Sequence, residues 1–92
     1  MRFTKENMAN KDDLDVLSQL GRRVAYLRKS KGMSQLEMSI ESGLSKSYIS
    51  DLEAGRRNVS VLICSRLCMA LGVTLEELFR GVVPLEMLLK AH

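Results

Sequence analysis

Apolar residues recur at helical spacing along most of this chain, and no segment alternates with period two. Leu17, Leu20, Val24 and Leu27 mark one face of a first helix beginning near Asp13, with Arg22, Arg23, Arg28 and Lys29 on its other faces. Asp12, Asp13 and Asp15 suit the positive N-terminal end of that helix, Lys29 and Lys31 suit its C-terminal end, and Gly32 stops it. Ser34-Gln35-Leu36-Glu37 has the spacing of a capping box, in which a hydroxyl and a carboxylate each satisfy a free backbone amide. It opens a short second helix to about Glu41, ended by Gly43. Ser45 caps a third helix, Lys46 to about Ala54, before Gly55; Ser60 caps a fourth through Leu71, before Gly72. Thr74-Leu75-Glu76-Glu77 is a second capping box and opens a fifth helix that fades near Gly81. Pro84 suits the first turn of a sixth, over Leu85–Lys90. The pattern predicts an all-α fold: a flexible polar arm over residues 1–11, a compact five-helix domain over 12–81, and an apolar C-terminal extension over 82–92.

The second and third helices meet the demands of a helix-turn-helix, which presents one helix to the DNA major groove. Close packing of the two helices needs a small residue, and Ser39 is small. The turn needs a residue tolerant of positive φ, supplied by Gly43. Ile49 and Leu52, with Leu44 entering from the turn, give the third helix an apolar inner edge. Lys46, Ser47, Tyr48, Ser50 and Asp51 put hydrogen-bonding groups on its outward, N-terminal part.

Charge sharpens this picture. The 92-residue chain carries a net charge of +3, but its positive charge is concentrated between Arg22 and Arg66, both flanks being slightly acidic. That favours a polyanionic partner. With two Tyr, two Phe and no Trp, the chain is poor in the aromatic platforms that stack single-stranded bases, which disfavours an RNA-binding module. No apolar run approaches the roughly 20 residues of a membrane span, and the first residues lack the apolar stretch of a signal peptide. Cys64 and Cys68, four apart on the fourth helix, are poorly placed for a disulfide, and with the single His92 they make a poor metal set, so core packing is expected. A reducing cytoplasm fits best. No nucleophile–base pair or phosphate-cradling Gly loop is visible, so no enzyme activity, cofactor, metal or small-molecule ligand is expected.

Residues 17–80 resemble the phage-repressor family of bacterial helix-turn-helix regulators (the Cro/repressor or XRE type). The resemblance lies in Ser34-Gln35, Ser42-Gly43-Leu44-Ser45, Tyr48-Ile49-Ser50, Glu53-Ala54-Gly55-Arg56-Arg57-Asn58 and Ala70-Leu71-Gly72-Val73. It implies a transcriptional regulator of a double-stranded DNA operator, associated with the bacterial nucleoid. Lys46, Ser47 and Ser50 would face base edges, with Asp51 at the margin. Gln35, Tyr48, Arg56, Arg57 and Asn58 would contact the DNA backbone, Gln35 also buttressing the recognition helix. Glu53 would pair with a nearby Arg to brace the motif, while Arg22, Arg23, Arg28 and Lys29 are expected on a solvated face. Ser39 stands where Ala is commoner in the family, and Val59 where Pro is usual. Leu36, Leu62, Ile63 and Met69 fill slots that are often polar.

The apolar excess at Leu62, Ile63, Met69, Val82, Val83, Leu85 and Leu88 suggests a homodimer interface, hence a near-palindromic operator. RNA polymerase is a candidate second partner. The chain is similar in size to the controller proteins of restriction–modification systems and shares their GRRNVS-type loop. A phage-type repressor and an antitoxin-like protein that masks a toxin and autoregulates its operon stay open beside that reading.

Overall fold

A computed structural model describes residues 11–83 and 88–89, with side chains for all of these except residues 11, 12 and 14. The helices run α1 Lys11–Ser30, α2 Gln35–Ser42, α3 Lys46–Glu53, α4 Val61–Leu71 and α5 Leu75–Leu78, and Leu88 and Leu89 are also helical. Lys11, assigned to the arm from sequence, begins α1; the rest of the arm and Leu85 lie outside the described residues. Among these residues no helix is long and apolar enough to cross a membrane.

Local hydrogen bonds set most of the helix limits. Glu37 N–H donates to Ser34 Oγ at 2.9 Å while Ser34 N–H donates to the Glu37 carboxylate at 2.8 Å, so the box at the start of α2 is complete. Thr74 and Glu77 repeat the arrangement at α5, and Ser45 and Ser60 cap α3 and α4 through Tyr48 N–H and Ile63 N–H. Each such cap replaces water as partner of an otherwise free amide and is worth about 1 kcal/mol.

The helices enclose one core. α1 contributes Leu20, Val24 and Leu27, α2 Met38, the turn Leu44, α3 Ile49 and Leu52, and α5 Leu78. Cys64, Leu67, Cys68 and Leu71 line the inner face of α4, where both thiols are free and buried, as their place in the pattern predicted. Burial pushes both thiols above their ordinary range, so they stay protonated at neutral pH. α1 packs along α3, α4 and α5, and α2 lies between α3 and α4.

Val82 departs from its expected place at a subunit interface. The chain turns back after α5, with Val82 N–H donating to the Phe79 carbonyl at 3.0 Å, and the Val82 side chain completes the core at 5% exposure. Ile63 is half-buried against the same core, whereas Leu62 and Met69, seven apart on α4, are 76% and 82% exposed, and Val83 and Leu88 are exposed as well.

Candidate nucleic-acid interface

The turn between α2 and α3 is held from both sides. Gly43 takes the left-handed conformation (φ 73°, ψ 13°), and its N–H donates to Ser39 O at 3.0 Å. A side chain at this position would strain the turn. Ser39 is half-buried, and its hydroxyl donates to the Leu44 carbonyl across the turn, a bond that the commoner Ala could not make. Leu44 N–H in turn donates to the buried Ser42 Oγ at 3.2 Å.

α3 is seated on α1 at two points. A Cβ built on Gly21 would fall 2.5 Å from Leu52 O and 2.6 Å from Glu53 O, so only glycine lets the end of α3 come this close. About two turns further along α1, Arg28 Nε donates to Glu53 Oε2 at 2.7 Å and Nη2 to Oε1 at 2.9 Å, while Nη1 reaches the Met33 carbonyl at 2.8 Å. The two side chains are 9% and 8% exposed. Hydrogen bonding to Glu53, ahead of the opposing cost of burial, raises the Arg28 pKa above its already high value. Gln35 Nε2 donates to the same Glu53 carboxylate at 3.0 Å, so α1, α2 and α3 meet at one acid.

The predicted pairing of Glu53 with an Arg is therefore present, but the partner corrects another expectation. Arg28 is not on a solvated face, because the Arg28–Glu53 pair closes the core beside Met33. Arg23 is half-buried and donates to the Glu77 carbonyl at 2.9 Å, near the Tyr26 ring, and only Arg22 and Lys29 of the four are exposed. The signal was in the spacing: positions 21 and 28 fall four residues after Leu17 and Val24, on the buried stripe itself.

With α3 fixed, its outer side carries the polar groups. Lys46 and Ser47 are exposed, and Ser50 and Asp51 are half-buried. α2 and α5 have acids in their first turns, but α3 has none, so Lys46 adds to its positive dipole end. Just beyond the helix, Arg56, Arg57 and Asn58 are exposed. Asp51 Oδ1 accepts from Arg56 at 2.8 Å, and Oδ2 lies 3.5 Å from Arg57. The Arg57 guanidinium stands 5.1 Å from the centroid of the Tyr48 ring, which itself leans on the core. Gln35 is tied to Glu53 through its side-chain amide.

The helix-turn-helix family model (HTH_3) matches residues 24–78, more than half of the chain. The chain belongs to the helix-turn-helix family. Among its relatives in that family, an uncharacterized HTH-type transcriptional regulator, y4dJ of Sinorhizobium fredii, is 43% identical over 65 residues, covering 71% of this chain and 84% of that protein. The control protein C.MunI from a Mycoplasma species is 35% identical over 69 residues, 74% of this chain and 93% of that one. Of solved structures, the restriction-modification controller protein C.AhdI from Aeromonas hydrophila matches with a TM-score of 0.67 at 41% identity, covering 68% of this chain and 96% of that one. The fold and motif expected from the sequence are those of this family.

A groove of about 420 Å³ opens beside the first half of α1, between Val16, Leu17, Leu20, Val59 and Phe79. Among the described residues on its wall, Asn58 and Cys64 carry the polar side chains. Among the described residues, no group of His, Cys, Asp and Glu could hold a metal ion.

Proposed function

We propose that this protein is a sequence-specific regulator of transcription that places α3 in the major groove of double-stranded DNA and acts as a homodimer. The observation that carries this reading is the N-terminal end of α3: an uncompensated helix dipole, exposed Lys46 and Ser47, and a rigid seat on α1. Lys46, Ser47 and Ser50 are the base-reading groups, while Tyr48, Arg56, Arg57 and Asn58 anchor the phosphates. Gln35 serves mainly as a brace, through Glu53.

Exposed Leu62 and Met69 on α4 support the dimer, which would set two recognition helices roughly 34 Å apart on a two-fold operator. Two relatives named as control proteins, and a solved structure named as a restriction-modification controller protein, favour autoregulation of such a system as the biological setting.

The test is selection of duplexes from a random pool by the purified protein. The double variant Lys46→Ala with Ser47→Ala should lose about tenfold or more of the preference for the selected sequence while keeping its helical content. An unchanged preference would remove α3 from the recognition role.

A further inference from the structure

We propose that Asp51 is a positioning residue that clamps Arg56 and Arg57 in the free protein and penalises DNA that does not draw them away, thereby setting discrimination between operator and other duplexes. This rests on the DNA-binding reading above and replaces the expectation that Asp51 reads a base.

The geometry carries the argument. Arg56 is tied to Asp51 three times: its N–H donates to the Asp51 carbonyl at 2.9 Å, and Nε and Nη2 reach Oδ1 at 3.2 and 2.8 Å. Arg57 Nη2 lies 3.5 Å from Oδ2, with its guanidinium over the Tyr48 ring. Both carboxylate oxygens are thus directed at arginines, on a helix face that also carries Ser47 one turn earlier. The acid thus restrains two long side chains, 63% and 48% exposed, that would otherwise move freely in water.

Asp51 also cancels part of the positive charge beside α3. Loosely docked, mismatched DNA is held mainly by charge, so it loses most from that cancellation. A matched operator brings phosphates close enough to replace the carboxylate as partner of both arginines. The Arg56 hydrogen bond holds the Asp51 carboxyl below its ordinary 3.8, so the clamp stays charged at physiological pH.

The experiment compares full-length wild type with Asp51→Asn and Asp51→Ala. Binding is measured over a range of salt to the duplex selected by wild type and to a scrambled duplex of equal composition. Asp51→Asn should tighten the scrambled complex about threefold to tenfold. It should also steepen that complex's log K against log salt by about one and leave the selected complex within about threefold, so that the specificity ratio falls. In the free protein, Arg57 side-chain resonances shifted by the Tyr48 ring should move toward solvent values in Asp51→Ala. Unchanged scrambled affinity and slope would overturn the proposal. So would loss of preference at one base pair alone, which would make Asp51 a reader after all. A wild type that prefers no duplex would overturn the DNA reading itself, and that result appears before any substitution is made.

Discussion

At Glu53 one carboxylate accepts from Arg28 of α1 and Gln35 of α2 while belonging to α3, the helix that both of them hold in place. Truncating it leaves a guanidinium more than nine-tenths shielded from water with no counter-charge. Glu53→Ala should therefore lower unfolding free energy by about 3–5 kcal/mol, measured by urea denaturation; a loss below about 1 kcal/mol would show the pair to be dispensable. Gly21 acts by what it lacks. Gly21→Ala gains up to about 1 kcal/mol of helix propensity, yet sets a methyl group against Leu52 and Glu53 carbonyls that are held in helix. Overpacking costs of about 1–3 kcal/mol should win, and because the displaced element is α3, DNA affinity should fall with stability. A variant more stable than wild type would mean that the helices can part without loss.

Among the elements, α2 and α3 differ at their N-termini in a way that separates stability from binding. α2 is completed by Glu37, whose carboxyl is held below its ordinary 4.5 by the Ser34 N–H and hydroxyl. A depressed carboxylate pKa contributes stability that is present above the ordinary value and is lost as pH falls through the lower, folded one. Acidification below about pH 4.5 should thus free the start of α2, read as earlier loss of amide-exchange protection at Ser34 and Glu37 than in the body of α4. Glu37→Gln should flatten this pH dependence. α3 has a serine cap but no acid, which leaves its end electropositive for DNA.

For the whole molecule, the exposed apolar residues of α4 carry the prediction. Leu62→Glu with Met69→Glu changes side chains 76% and 82% exposed, so the fold should survive. Sedimentation at micromolar concentration should find wild type dimeric and the double variant monomeric, with operator affinity lowered because each half-site is then bound alone. A monomeric wild type would remove the two-fold operator from the proposal. Charge acts at this scale too, since the basic middle of the chain folds into one domain in which Arg28 is spent on the core and Arg56 and Arg57 are left at the surface.

The sequence by itself determined the helices, their caps and the polar outer side of α3. These depend on interactions between residues no more than about four apart, written directly in the order of Ser34 to Glu37 or Ser45 to Tyr48. Only the tertiary structure decided which charges are buried and which are presented. Spacing sets Arg28 on the apolar stripe of α1 and Arg22 off it, but only the fold brings Arg28 an acid from 25 residues away while Arg22 stays in water. The carbonyls that meet Gly21 and the place of Val82 in the core were decided in the same way. Their roles arise where the chain folds back on itself, and a one-dimensional pattern records which side of a helix is apolar but not what comes to rest against it.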